Sequence, residues 1–182
     1  MKALLVANTD WYLYNFRRAL ARRLQQSGYE VTLACPPGPY VGKLQDLGFK
    51  CALLSLPADR LSPLRELRVL LDLIALYRQE RPSIVHHFTI RCILYGSIAA
   101  RIVGGISVVN ALTGVGHVFT AGGMKARLLR RIVGFLYRHF LTGSRSRVIF
   151  QNSDDMDTFV EAGMADVARS HLIPSSGVNC ST

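Results

Sequence analysis

The amino-acid sequence predicts one α/β domain built on a doubly wound parallel sheet. Short apolar runs alternate with longer segments of helical periodicity along the 182 residues. The runs are hydrophobic along their whole length, as in strands that are covered on both faces. Hydrophobic residues make up 49% of the chain, which is enough for a core of its own. These observations exclude a disordered chain and favour right-handed strand–helix–strand units.

Each predicted element is bounded by a recognisable local signal. Gly28 ends the first helix, whose polar face is expected to carry Arg17, and Ser62 and Ser153 are expected to cap two later helices. The strands are predicted at 3–7, 30–34, 50–54, 84–87, 107–111, 148–151 and 171–173. The helices are predicted at 14–27, 40–47, 63–79, 91–103, 124–141 and 153–161.

Ligands of such sheets bind beyond the carboxyl ends of the strands, so the segments that follow strands are the candidate sites. One of them is Thr113-Gly114-Val115-Gly116-His117, where two glycines let backbone N–H groups approach an anion or a sugar hydroxyl. The alternative is a tight turn into the next segment. Asn8-Thr9-Asp10 follows the first strand in the same way.

Two adjacent histidines, His86 and His87, end another predicted strand. Side chains alternate along a strand, so at most one of the two faces the cleft. A histidine there can act as a base or bind a sugar hydroxyl. The alternative is a hydrogen-bonded pair in the layer between sheet and helices.

Aromatic residues are concentrated just after the first strand, as Trp11-Tyr12 and Tyr14-Asn15-Phe16. Such rings can line an acceptor groove or stack on a sugar. They can equally form a hydrophobic staple for the first helix.

The excess of positive charge lies in one stretch of the chain, because the rest of the sequence balances at twelve basic against twelve acidic residues. The net charge is +10, and no acidic residue occurs between Glu80 and Asp154, a span with ten basic residues. This stretch is expected to face a phosphorylated substrate, lipid headgroups or nucleic acid. Within it, the predicted helix 124–141 carries basic residues on one side, either as a solvated face or as a surface for anionic lipid. These residues are Arg127, Arg130, Arg131 and Arg138.

Several other classes of protein are excluded by the sequence. The four cysteines form no CxxC pair, which argues against a zinc site and fits a reducing compartment. The apolar N-terminal run is too short for a signal peptide. The uncharged stretch 102–119 contains four glycines, so we do not expect a transmembrane helix.

Together, these segments resemble the N-terminal half of family-4 retaining glycosyltransferases. The resemblance is strongest with the branch that builds lipid-linked oligosaccharides, capsule and lipopolysaccharide in bacteria. It rests on five blocks and on the tail that follows them. The blocks are Tyr12-Leu13-Tyr14-Asn15-Phe16-Arg17, Gly28-Tyr29-Glu30-Val31, His86-His87-Phe88-Thr89-Ile90, Tyr95-Gly96-Ser97-Ile98-Ala99-Ala100 and Asn110-Ala111-Leu112-Thr113-Gly114-Val115-Gly116. The tail is Phe150-Gln151-Asn152-Ser153-Asp154-Asp155 and Ile173-Pro174-Ser175-Ser176-Gly177-Val178-Asn179.

The resemblance implies a Rossmann-like domain that forms one half of a GT-B fold. Residues 1–174 would form this domain, and 175–182 would begin the linker to a C-terminal donor-binding domain, whose Glu-x7-Glu motif the sequence lacks. The histidine of the family's mannosyltransferase branch falls near Leu112-Thr113 here, which leaves His87 and His117 as the catalytic candidates. The substrate would contact Asn8, Thr9, Tyr14, Asn15, Thr113, Gly114 and Gly116.

For the whole enzyme, the resemblance implies transfer of a sugar from a nucleotide diphosphate sugar, expected to be a UDP sugar, to a lipid-diphosphate-linked saccharide. It implies no metal and no further cofactor. The basic helix would rest on the cytoplasmic face of the bacterial inner membrane, and this half alone would be inactive. Two other functions stay open: a non-catalytic docking or regulatory subunit, and a basic nucleic-acid-binding α/β domain. The absence of a nucleic-acid-binding motif argues against the latter.

Overall fold

The domain is built on a sheet of seven parallel strands. The computed structural model describes residues 1–56, 62–113, 134–135, 137–139 and 143–174. The strands are β1 Lys2–Val6, β2 Glu30–Cys35, β3 Lys50–Leu53, β4 Ile84–Phe88, β5 Ser107–Leu112, β6 Ser146–Phe150 and β7 Ser170–Leu172. All seven predicted strands are confirmed with bounds shifted by at most two residues, and so is the doubly wound α/β class.

The helices follow the strands as the sequence predicts. They are α1 Asp10–Tyr12, a π-helical segment Leu13–Arg17, α2 Arg18–Gln26, α3 Val41–Asp46, α4 Pro63–Glu80, α5 Ile90–Val103, α6 Ser153–Glu161 and a 3₁₀ turn Val167–Arg169. The expected helix 124–141 and the linker 175–182 lie outside the described residues, apart from five positions of the helix.

The first helix begins four residues earlier than predicted and includes a π-helical turn at Leu13–Arg17. Leu13, Arg17 and Ala21 are buried, whereas Ala19 is exposed. Arg17 precedes Leu20 and Ala21 by three and four residues, so it lies on the same helix face as these apolar side chains. The prediction that Arg17 lies on the polar face is therefore wrong.

The core consists of apolar layers on both faces of the sheet, since alternate residues of each strand point to opposite sides. On one face, Leu4 and Val6 pack with α4 and α5. On the other face, Ala3 and Leu5 pack with the first helix and α3. A smaller cluster lies between β6 and α6.

The strand order is β3-β2-β1-β4-β5-β6-β7, so the direction of winding reverses between β1 and β4. The helix after β1 packs on one face of the sheet and α5, which follows β4, packs on the other. In open α/β sheets such a reversal places the ligand-binding crevice outside the carboxyl ends of the two strands concerned, here β1 and β4.

Two helix caps differ from the prediction. Asn152, not Ser153, caps α6, because its side-chain oxygen accepts from the backbone N–H of Asp155 at 2.7 Å. Ser62 precedes α4 with Pro63 in the first turn as predicted, but its side chain makes no capping hydrogen bond. An amide oxygen makes the same cap as a serine hydroxyl, so sequence alone favours neither neighbour.

Candidate functional site at the carboxyl edge of the sheet

The described segments that follow strands lie at one edge of the sheet, because all seven strands are parallel. Asn8 and Thr9 follow β1, Thr89 follows β4, and Thr113 follows β5. Asn8, Thr9 and Thr113 are exposed. The segments that follow the strands therefore lie along one rim of the sheet, as a parallel sheet predicts. The ends of β1 and β4 lie near the middle of this rim.

Two of the predicted substrate-binding residues also stabilise the first helix. The Thr9 hydroxyl accepts from the backbone N–H of Tyr12 at 3.2 Å and thereby caps α1. The side-chain amide of Asn15 donates to the Trp11 carbonyl at 2.9 Å. Asn8 makes no hydrogen bond through its side chain among the described residues and stays available at the rim.

Tyr14 forms a surface with three residues that the sequence did not single out. Its ring centre lies 5.1 Å from that of Tyr40, which precedes α3. The Arg18 guanidinium lies 4.4 Å from the Tyr14 ring centre, and the Lys43 ammonium lies 4.8 Å from that of Tyr40. We call this surface the tyrosine platform: Tyr14, Tyr40, Arg18 and Lys43. Its two halves belong to the segments after β1 and β2.

A buried carboxylate holds the two halves of the platform together. Asp10 is 7% exposed, and its Oδ2 accepts from the backbone N–H of Tyr40 at 2.6 Å. Its Oδ1 accepts from the N–H of Trp11 at 2.8 Å. The loop passes so close at Gly38 that a Cβ atom there would lie 2.5 Å from Asp10 Oδ1. Only glycine permits this approach.

His87, a predicted catalytic residue, faces the interior and not the crevice. It is 0% exposed and lies on the α4–α5 face of the sheet. Its Nε2 is 2.7 Å from the Tyr77 hydroxyl, and its Nδ1 is 2.8 Å from Asn110 Oδ1. An amide oxygen only accepts, so Nδ1 carries the proton and Tyr77 donates to Nε2.

This network removes the lone pair that a general base needs. Asn110 is also buried, and its Nδ2 donates to the Ser97 hydroxyl at 3.1 Å. Burial lowers the pKa of His87 to about 4, despite the opposing effect of the hydrogen bond to Asn110. The arrangement corrects the expected position of His87 and favours the structural role that the sequence left open.

His86 points to the opposite face and meets Arg17. Its ring centre is 4.2 Å from that of Phe88, and the Arg17 guanidinium lies 4.3 Å from the same Phe88 ring centre. Burial, and then the charges of Arg17 and His87, lower the pKa of His86 to about 3. Sequence reasoning named His86 and His87 without deciding which of them faces the cleft, and it assigned Arg17 to the polar face because a cation is rarely buried.

Of the remaining predicted site residues, the structure describes Arg138. Six others lie outside the described residues: His117, Gly114, Gly116, Arg127, Arg130 and Arg131. Arg138 is exposed, and its Nε donates to the Ala162 carbonyl at 2.9 Å. In the described part of the chain, no helix has both the length and the hydropathy that crossing a bilayer requires.

A comparison with protein families supplies the observation that decides the family. Residues 2–152, most of the chain, match the model described as glycosyl transferase 4-like. The chain belongs to the glycosyl transferase 4-like family. The matched residues include the tyrosine platform, His86 and His87, and the ends of β1 and β4. The match confirms the resemblance to the N-terminal domain of a GT-B glycosyltransferase. Comparison with curated protein sequences gives no match.

Several solved structures, among them an epimerase, have the same fold. MurG from Acinetobacter baumannii is 16% identical with a TM-score of 0.61, over 99% of this chain and 46% of that one. HepE from Anabaena, solved with UDP and glucose, is 15% identical with a TM-score of 0.64, over 96% and 44%. UDP-GlcNAc 2-epimerase from Methanocaldococcus jannaschii is 11% identical with a TM-score of 0.65, over 95% and 45%. The chain spans less than half the length of each of these proteins.

Proposed function

We propose that this chain is the acceptor-binding half of a retaining glycosyltransferase. The whole enzyme would move a hexose or N-acetylhexosamine from a UDP sugar to a lipid-linked saccharide, in the synthesis of a bacterial surface polysaccharide such as capsule or lipopolysaccharide. The reaction is proposed to need no metal. The fold is shared with an epimerase, so the family match and not the fold supports glycosyl transfer.

The observation that carries the acceptor assignment is the tyrosine platform. Tyr14 and Tyr40 are half-buried, so each ring is held by packing and still keeps exposed surface. Aromatic walls with a few polar groups are typical of sites for small organic ligands, and here they suit the apolar faces of sugar rings. Arg18 and Lys43 beside the rings suit a phosphorylated carrier.

The proposal also assigns the chain to the cytoplasmic face of the inner membrane, as a peripheral protein. A carrier lipid keeps its diphosphate at the bilayer surface, so the enzyme that uses it has to approach anionic headgroups. The excess of positive charge between Glu80 and Asp154 supports this assignment.

Transfer is tested with radiolabelled UDP sugars and a polyprenyl-diphosphate-linked saccharide, using the complete product of the reading frame and the 182-residue chain separately. The complete product is expected to transfer sugar with retained anomeric configuration, also in the presence of EDTA, and the chain alone to show none. Hydrolysis of the donor without any transfer, whichever lipid-linked saccharide is offered, would contradict the proposal.

The platform is tested by replacing one ring at a time. Tyr40→Ala is expected to raise the KM for acceptor roughly tenfold and to leave the KM for donor unchanged, because one stacking surface is lost. Tyr40→Phe retains the ring and serves as the matched control. An increase in the KM for donor alone would place the platform at the donor site instead.

A further inference from the structure

Arg17 is a buried cation without a carboxylate partner among the described residues. It is 9% exposed, and it takes part in none of the ion pairs formed there. Its Nη2 donates to the Tyr12 hydroxyl, and its guanidinium lies over the Tyr12 and Phe88 rings. Its Nε is buried and has no hydrogen-bond partner in the part of the chain that the structure describes. Burying a charge costs free energy unless it is paired, so this arrangement is incomplete.

His86 leaves a second unsatisfied polar atom beside the same Phe88 ring. Its Nε2 is buried and makes no hydrogen bond to any described residue. Two polar atoms of different elements, the first helix and β4, thus stay unpaired around one aromatic ring. We call these two residues the Arg17–His86 cluster. Buried polar groups in folded proteins are generally satisfied by protein, water or ligand.

The position of the cluster points to a ligand. Phe88 is the last residue of β4, and β4 pairs with β1 where the winding of the sheet reverses. Helix α5 begins two residues later, with no side-chain cap and no acidic residue in its first turn. The N–H groups at its start therefore add positive potential at the same end of β4. Asp10, the acidic residue nearest to Arg17 in sequence, is bonded to the amides of Trp11 and Tyr40.

We propose that the Arg17–His86 cluster binds a phosphate group of a diphosphate-bearing substrate. Arg17 Nε and the protonated Nε2 tautomer of His86 donate hydrogen bonds to phosphate oxygens, and the phosphate supplies the negative charge that the guanidinium lacks. This inference rests on the proposed function, in which both the lipid carrier and the sugar donor contain a diphosphate. The shared chemistry is that of a diphosphate ester.

Binding to the 182-residue chain is measured by titration calorimetry with three probes: inorganic pyrophosphate, UDP and a short-chain prenyl diphosphate. Arg17→Gln is expected to weaken binding roughly tenfold or more, because it removes the charge and the Nε donor. Arg23→Gln is the matched control, since Arg23 is exposed and lies in α2, beyond the turn that contains Arg17. Far-UV circular dichroism and urea unfolding establish that the variants are folded.

His86→Phe provides a second variant in case Arg17→Gln does not fold. It retains an aromatic ring against Phe88, in a slightly larger side chain, and has no ring nitrogen to donate, so a loss of affinity is again expected. If the variants lose affinity for the prenyl diphosphate alone, the bound phosphate belongs to the acceptor. If they lose affinity for UDP alone, it belongs to the donor. In the wild type, the His86 ring ¹⁵N resonances are expected to shift on binding while those of His87 stay in place.

The inference is overturned if no probe binds, or if Arg17→Gln and His86→Phe bind all probes like the wild type. The cluster would then be a packing arrangement completed by solvent. These outcomes are separate from the fate of the proposed function. Diphosphate binding without any glycosyl transfer refutes the function and leaves the site, whereas transfer with unaltered binding in the variants refutes the site alone.

Discussion

Gly96 offers the sharpest test of the packing between α5 and β4. A Cβ atom at this position would lie 2.5 Å from His87 Cδ2 and 2.7 Å from Cε1, well inside van der Waals contact. The ring cannot turn away without losing its bonds to Tyr77 and Asn110. Gly96→Ala therefore forces α5 outward by about 1 Å or breaks the network.

The expected cost follows from three contributions. Overpacking costs about 1–3 kcal/mol, and a buried hydrogen bond left unmade costs about 1–3 kcal/mol. The better helix propensity of alanine offsets at most about 1 kcal/mol. Urea unfolding is thus expected to show a net destabilisation of roughly 1–5 kcal/mol.

Gly42→Ala is the matched control. Gly42 lies in α3 with no atom within 4 Å of the added Cβ, so alanine there should be neutral or stabilising by up to about 1 kcal/mol. In a His87→Ala background, Gly96→Ala should cost little, which a double-mutant cycle would report as a coupling above about 1 kcal/mol. Equal stability of Gly96→Ala and the wild type would refute the packing described for His87.

Three further predictions concern acid stability, the platform and the membrane. Burial lowers the pKa of His86 to about 3 and of His87 to about 4, from 6.5. The unfolded chain therefore takes up these protons first. The free energy of unfolding measured in urea should therefore fall by roughly 2 kcal/mol per histidine from pH 7 to pH 5. In His86→Phe, which lacks one of the two groups, the total decrease over this pH range should be about half as large. Gly38→Ala should displace the Asp10 carboxylate from the Tyr40 amide, and faster hydrogen exchange of that amide would reveal it; unchanged exchange would exclude the clamp. Replacing Arg127, Arg131 and Arg138 with alanine should abolish flotation of the protein with anionic liposomes. The control, alanine at Arg22, Arg23 and Arg78, should float like the wild type. If the first variant also floats like the wild type, docking by the predicted helix 124–141 is excluded.

The sheet could be predicted because its signals are local. Each strand is an apolar run between turn or helix signals, so strands appear within two residues of their predicted bounds. Parallel pairing then places the segments that follow them at one edge. The start of the helix that contains Arg17 was less predictable, since the π-helical turn at Leu13–Arg17 depends on tertiary packing.

The candidate site depends on contacts that are distant in sequence. Tyr14 and Tyr40 meet because β1 and β2 are neighbours and Asp10 joins the segments that follow them. Alternation predicts that His86 and His87 point to opposite faces, but not which face carries the helix with Arg17. That choice is set by the strand order, which a local pattern does not contain.

The two adjacent histidines show why only one side of β4 offers a site. On the α4–α5 face, both nitrogens of His87 have partners, and Asn110 is bonded in turn to Ser97. A ligand would have to replace bonds already made, and it would gain little. On the opposite face, His86 and Arg17 each keep a buried polar atom without a partner. A phosphate there would form bonds without breaking any that the described residues make to those two atoms, so recognition is favoured on this side of the strand.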